Sequence, residues 1–409
     1  MRRVVITGIG VISPLGTKEE FWKNILNGKS GIDFVKSFDP KVLGHERLIA
    51  GEAQFEPTEF FNEKEIKRMD RFSQFALAAS RMAVRDSNLD IEKIDKFRSG
   101  VILGTAIGPM QSYEQDAIRF LQEHKKASAY SLTRGIPAVT SGMIAMDFHF
   151  KGANFMISAA CASGGQSIGI SKQMIESDHA DIMITGGVEA CIRPGVYWAH
   201  EVHKAMCLTG DRPQAQSRPF DKNRHGFVLG EGAGILILES YEHAMKRGAN
   251  IYAELTGFGF ADDAYHVVAP DPEGSGATQS MISALEDAHT NVEEIGYINA
   301  HGTSTPYNDK CETKAIKRAF GSNAYNIPIS STKSMIGHTQ GAAGGLEAIT
   351  TILSLEKNIL PPTINYEVPD EECDLNYIPN FGIEKKINHA ISNSFGFGGN
   401  NTTLVFKQI

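Results

Sequence analysis

The chain has 409 residues, 42% apolar and 22% charged, with a formal net charge of -8. That length predicts two packed halves or one large fold of ordinary globular composition, and the acidic balance argues against a general nucleic-acid binder. No run of about 18 apolar residues is available to span a membrane, and five cysteines at positions 161, 191, 207, 311 and 373, with no C-x-x-C pair, suggest neither a disulfide framework nor a zinc site.

The first predicted element is a β-branched strand over Arg3–Ile6, with Gly8 and Gly10 read as the turn after it. The opening charges and apolar run resemble a secretory leader, but Thr7, Gly8, Gly10 and Pro14 break the run and no cleavage pattern follows. A dinucleotide fingerprint also fails here, because Ser13 stands where its third glycine belongs. Helical spacing predicts a helix over Glu19–Asn27 and a long one over Glu63–Asn88, with Met69, Phe72, Phe75, Ala76, Ala79 and Met82 on one face. Strands follow at Arg98–Gly104, Asn154–Ile157, Ala180–Gly187 and Ile235–Leu238. Helices are expected at Gln111–Glu123, Ile136–Phe150, Ala162–Glu176 and Ser240–Arg247. The second half repeats the alternation. Its strands fall at Tyr252–Gly259, Ile295–Ala300, Pro328–Ser331, His389–Ser394 and Thr402–Phe406, and its helices at Gly276–Ala288, Asp309–Phe320 and Gly344–Leu355. Such alternation predicts sheets covered by helices. A strand-then-turn bearing a reactive residue in each half hints at a duplicated unit.

Four segments carry chemistry. Ile157–Ile170, ISAACASGGQSIGI, places Cys161 among small residues where a strand becomes a helix. Unpaired N–H groups at a helix N-terminus carry partial positive charge and favour the thiolate, which is the nucleophile; a buried structural cysteine is the plain alternative. His301 follows a strand in NAHGTSTP, ahead of Asp309. Lys333 and His338 lie in STKSMIGH, ahead of GAAG and Glu347. The loop NSFGFGGNN, from Asn393 to Asn401, can expose backbone N–H groups. Singly, each has a dull reading: a capped turn, a surface lysine, a tight bend.

Together, A-C-A-S-G, N-A-H-G-T-S-T, K-S-M-x-G-H-x-x-G-A-A-G-x-x-E and N-S-F-G-F-G-G resemble the β-ketoacyl-[acyl-carrier-protein] synthases, the type II enzymes of bacterial fatty-acid synthesis above all. S-R-P-F-D-K-N-R and G-E-G-A-G match as well, so the resemblance spans nearly the whole chain. It implies the α/β thiolase-like fold: two similar halves, residues 1–250 and 251–409, whose mixed sheets pack in α-β-α-β-α layers. It implies decarboxylating condensation by a ping-pong route in the cytoplasm, usually in a homodimer. Cys161 would be acylated, with the N–H groups of Cys161 and Phe397 holding the oxyanion. His301 and His338 would stabilise the enolate from the malonyl carrier, and Lys333 and Glu347 would support them. Thr303 and Thr305 would meet the phosphopantetheine arm, the only prosthetic group, which arrives on the carrier protein; no metal or further cofactor is implied. Lys64, Lys67, Arg68, Lys125, Lys126 and Lys204 match a docking surface for that acidic carrier, though such a cluster is equally a solvated face.

Departures from the family pattern gather around the expected acyl pocket. Tyr130 and Ser131 replace two phenylalanines, Pro109 a glycine, and Trp198-Ala199-His200 a smaller pattern; Ile107 is expected at the pocket mouth. His225 stands where aspartate is common, and Asn400 where threonine or histidine is usual. These bear on acyl preference and keep a specialised polyketide or polyene ketosynthase as an alternative. A non-catalytic chain-length partner would lack the nucleophile. A thiolase would carry a second cysteine in the Asn393–Asn401 loop, which has none.

Overall fold

A computed structural model describes all residues, Met1–Ile409. Ten strands build its main sheet: β1 (Val4–Ile12), β2 (Ser99–Gly104), β3 (Asn154–Ile157), β4 (Ile182–Glu189), β5 (Gly232–Ser240), β6 (Ala253–Asp262), β7 (Ile295–Asn299), β8 (Ile329–Ser330), β9 (His389–Phe395) and β10 (Asn400–Lys407). Their order is β8-β7-β9-β10-β6-β1-β5-β4-β2-β3. From the middle outward, β1 runs antiparallel to β5, β5 antiparallel to β4, and β4, β2 and β3 are parallel. The second five strands repeat that arrangement: β6 against β10, β10 against β9, then β9, β7 and β8 in parallel. The two mixed sheets expected from the sequence are thus one continuous ladder. Only two residue pairs, Val5–Glu254 and Ile6–Ala253, join its halves.

Four helices fix the layers: α1 (Arg71–Asp86), α2 (Ser163–Glu176), α3 (Pro306–Phe320) and α4 (Ala343–Lys357). Both α2 and α4 touch strands of both halves, so they form the central layer. The largest core cluster is theirs, with Ile168, Ile175, Leu346, Ile349 and Ile352 packed on strands from both sides. Outside it, α1 covers the first half through Phe72, Phe75 and Ala76, and α3 helps cover the second through Ile316 and Phe320. The two central helices meet through glycine. A Cβ added to Gly344 would lie 2.4 Å from the Gly165 nitrogen, and one on Gly164 would lie 2.8 Å from the Gly341 oxygen.

Two sequence readings are corrected. Gly8 and Gly10 are not a turn; they lie inside β1, which continues to Ile12. They are glycine because α1 lies directly on the strand: a Cβ on Gly10 would sit 1.9 Å from the Ala79 carbonyl oxygen. Gly10→Ala must push the helix backbone away, so we expect a loss of about 3 kcal/mol or more, read as a lower midpoint in urea denaturation. The long helix over Glu63–Asn88 breaks at Met69 and Asp70 into a Glu63–Arg68 turn and α1. The apolar spacing runs through the break, which is why it read as one helix. Asp70 caps α1 through the Phe72 N–H, and its second oxygen takes the Ser112 N–H at 2.7 Å.

Candidate active site

The repeated topology brings two equivalent chain segments together. After β3 the chain turns through Ala160, at φ 48°, and Cys161 into α2; after β8 it runs through Lys333 and His338 into α4. Because the two helices touch through glycines, their starts adjoin. Cys161 Sγ therefore lies 3.1 Å from His338 Nε2 and 3.4 Å from Gln340 Oε1. The His301 and His338 rings stand edge to face, 5.3 Å apart.

The hydrogen bonds set both imidazole tautomers. Lys333 Nζ lies 3.3 Å from His301 Nδ1 and also donates to Glu347 Oε1. An ammonium only donates, so Nδ1 accepts and His301 carries its proton on Nε2. The Gln340 N–H likewise points at His338 Nδ1, at 3.3 Å, which leaves Nε2–H facing the sulfur. Burial, and then the Lys333 charge, push both imidazoles well below their ordinary range. Both are neutral Nε2–H donors at neutral pH. Any step that uses these two groups as donors should then keep a flat rate from pH ~8 to ~6, with no acid limb at the ordinary histidine value of about 6.5. A limb there in the pH profile would contradict this assignment.

At the sulfur, burial works against the thiolate that the sequence favours. Desolvation dominates and pushes the Cys161 thiol up to about 12; Lys333 and the Phe397 N–H pull the other way without prevailing. Burial thus opposes the pull that the helix start exerts towards the thiolate. The glycine loop closes over it: a Cβ on Gly396 would lie 3.1 Å from the Cys161 nitrogen. That approach brings the Phe397 N–H to the sulfur, close to the Cys161 backbone nitrogen.

A cavity of about 280 Å³ runs outward from these residues, lined by Cys161, His301, His338, Phe397, Thr303, Thr305 and, towards the surface, Lys204. The two threonine hydroxyls are 2.9 Å apart. Asp309 does not line it. Its carboxylate accepts the Phe220 N–H at 2.8 Å and lies 3.6 Å from Arg224 Nε, so it braces the loop beneath. The four residues expected at the acyl pocket do not line the cavity either. Ile107 packs against the cluster around Tyr197 and Phe227. Ser131 Oγ accepts the Ser128 N–H, Tyr130 lies under the Arg68 guanidinium 5.5 Å from its ring, and Trp198 is 69% exposed. Lys64, Lys67, Lys125 and Lys126 are exposed, Lys67 and Lys125 within reach of Glu63 and Glu123. No group of three or more His, Cys, Asp or Glu side chains is placed to hold a metal ion, and no helix is long and apolar enough to cross a membrane.

Two supporting residues were missed in the sequence. Glu312 on α3 accepts the His301 N–H at 2.8 Å and the Gly302 N–H at 2.7 Å, fixing the turn that presents His301. Burial pushes its carboxyl up to about 7. An acidic residue one turn after Asp309 on an amphipathic helix was the available signal. Gln340 carries no such signal, since its role comes from a left-handed backbone, φ 50°.

Comparison with known proteins gives a consistent result. Residues 1–244 match the family described as Beta-ketoacyl synthase, N-terminal domain, and residues 252–367 match Beta-ketoacyl synthase, C-terminal domain. The chain is 44% identical to 3-oxoacyl-[acyl-carrier-protein] synthase 2 of Synechocystis, over 100% of this chain and 98% of that one. It is 45% identical to the protein of the same name from Coxiella burnetii, over 100% and 99%. Among solved structures, a type II polyketide ketosynthase in complex with its acyl-carrier protein, AntDE:AntF, superposes with a TM-score of 0.93 at 37% identity, covering both chains completely. The ishigamide ketosynthase/chain length factor does so at 0.93 and 35% identity, over 100% of this chain and 99% of that one.

Proposed function

The chain belongs to the β-ketoacyl synthase family, and from that premise we propose how its own residues divide the chemistry. It is an acyltransferase, a β-ketoacyl-[acyl-carrier-protein] synthase of fatty-acid elongation. The observation that carries the assignment of roles is the meeting of Cys161 Sγ with His338 Nε2, at 3.1 Å, in a cavity also lined by His301.

In the first half-reaction Cys161 attacks the acyl thioester of the carrier. The carbonyl oxygen becomes an oxyanion beside the Cys161 and Phe397 N–H groups, the carrier thiolate leaves, and the acyl-cysteine remains. The leaving thiolate takes up a proton equivalent to the one the cysteine loses. In the second, a malonyl thioester loses carbon dioxide, and the enolate oxygen accepts from the Nε2–H groups of His301 and His338. The enolate carbon attacks the acyl-cysteine and Cys161 departs, giving the 3-oxoacyl thioester. Lys333, with Glu347, keeps the His301 hydrogen on Nε2. Thr303 and Thr305 offer hydroxyls to the amides of the phosphopantetheine arm; the reaction uses no resident cofactor.

The carrier is the partner this reading requires. Lys64, Lys67, Arg68, Lys125, Lys126 and Lys204 would steer an acidic domain towards the cavity, mainly by speeding encounter. A second copy of the chain is the further partner. Edge strand β3 has one neighbour only, and Phe155 on it is exposed, as are Trp198 and Leu132 in the same half. The likeness to polyketide ketosynthases and the changes at Tyr130, Ser131 and Trp198 favour, as the second reading, work on an unusual acyl chain.

The deciding experiment condenses malonyl carrier protein with a panel of acyl carriers, read by mass spectrometry. Saturated products of graded length support elongation; turnover confined to unsaturated or polyketide primers favours the second reading; no condensation with any of them overturns both. Ile107 does not line the cavity, but it packs in the cluster of Phe227, which does; it is expected to set the length limit from there, because a β-branched side chain cannot easily swing aside. Ile107→Ala should relax discrimination against longer primers and Ile107→Phe favour short ones, by ~10- to 100-fold. An identical product profile in all three proteins would show that Ile107 has no part in acyl choice.

A further inference from the structure

Glu189 ends β4 with its side chain wholly buried. Its hydrogen-bond partners are backbone N–H groups and one hydroxyl, not a lysine or arginine. One oxygen takes the Gly108 N–H at 2.9 Å and the Thr105 hydroxyl at 3.1 Å; the other takes the Ala106 N–H at 2.7 Å and the Gly341 N–H at 3.1 Å. The Ile107 N–H lies 3.3 Å from both. Burial raises this carboxyl, but each backbone partner is a donor, and such a ring of donors favours the carboxylate. Gly341 needs its missing side chain here, since a Cβ would lie 2.7 Å from Glu189 Oε2 and 2.3 Å from the Ala106 nitrogen.

The two clasped segments flank the nucleophile. Gly341 follows Gln340, whose amide oxygen is 3.4 Å from Cys161 Sγ. On the other side, the Thr105 carbonyl lies 3.0 Å from Ser163 Oγ, which in turn accepts the Ala159 N–H at 2.8 Å inside the Cys161 turn. Ile107 is the middle residue of the clasped loop. We propose that Glu189 is a positioning residue for the acyl half-reaction: one buried carboxylate locks the 105–108 loop and the Gln340–Gly341 turn together around Cys161. This rests on the synthase reading above.

The test compares wild type with Glu189→Gln, whose amide turns N–H groups towards N–H groups, and with the milder Thr105→Val, which removes a single donor. Acylation of Cys161 by short- and long-chain acyl carriers is measured alongside malonyl decarboxylation. We expect Glu189→Gln to slow acylation ~10-fold or more, as for a small misplacement of reacting groups, and to change the short-to-long ratio. Decarboxylation should fall by less than acylation, since of the two clasped segments only the Gln340–Gly341 turn also holds a histidine, His338. The charges acting on the Cys161 sulfur are those of Lys333, Glu189 and Glu347, so losing one negative charge should also move the pH midpoint of iodoacetamide alkylation downward. Thr105→Val should change the ratio in the same direction by less, and it carries the test if Glu189→Gln does not fold. An unchanged ratio and acylation rate, or equal losses in both half-reactions that track the melting temperature, would overturn the proposal. Wild type that no acyl carrier acylates would instead overturn the synthase reading.

Discussion

Cys161→Ser will lose condensation by more than ~10³-fold; removing a nucleophile from residues that act as a unit costs up to ~10⁶ in kcat. The reason lies in the hydrogen-bond directions. His338 is the basic group nearest the sulfur, but its Nδ1 is taken by the Gln340 N–H, so its Nε2 is a donor and not a base. The thiol must therefore ionise without a base, helped by the Lys333 charge and by the Phe397 N–H and His338 Nε2–H donors, against burial. A serine hydroxyl, far less acidic, has no base to activate it. The check is mass spectrometry after exposure to an acyl carrier: wild type should gain the acyl mass on the Cys161 peptide and the variant should gain none. Label confined to Cys191 or Cys207 would show the nucleophile to be elsewhere.

His338→Ala and His301→Ala should separate the two half-reactions. Each removes one Nε2–H donor from the place where the enolate oxygen forms, and losing a donor of that kind costs ~10²- to 10³-fold. Acylation of Cys161 uses the backbone N–H groups and should persist in both variants. Single-turnover acylation, followed by carbon dioxide release from malonyl carrier protein, distinguishes the steps. Loss of acylation with intact decarboxylation in His338→Ala would reverse the roles given to that residue. Lys333→Ala should resemble His301→Ala, because the His301 proton is then free to move to Nδ1.

The residues that meet in the candidate site were legible because each sits in a short segment whose residue types suit only a few tasks: a cysteine among alanines and glycines at a strand-to-helix turn, a histidine just past a strand. The strand and helix sequence was legible too, within a few residues at most ends. What was not legible depends on contacts between distant segments. Gly8 and Gly10 read as a turn because the helix that lies on them comes some seventy residues later. The break at Asp70 was hidden because apolar spacing continues across it, and only the extended backbone of Met69 and Asp70 gives the cap away. Glu189 and Glu312 look like ordinary acidic residues; their partners are backbone N–H groups of other segments, which leave no trace in composition. For Cys161, burial opposes the thiolate, and no local pattern records burial.

The glycine contact between α2 and α4 bears on how such a protein can change over generations. At Gly164, Gly344 and Gly345 backbone meets backbone, so no substitution in one helix can be absorbed by a smaller neighbour in the other. Compensating change, the ordinary path by which a core drifts, is closed there. The chain can diversify only at a distance from that contact, as at the exposed Tyr130 and Trp198. Ancestry would then be written in two scripts: an almost motionless centre that keeps nucleophile and histidines together, and a restless periphery where new acyl chains are tried.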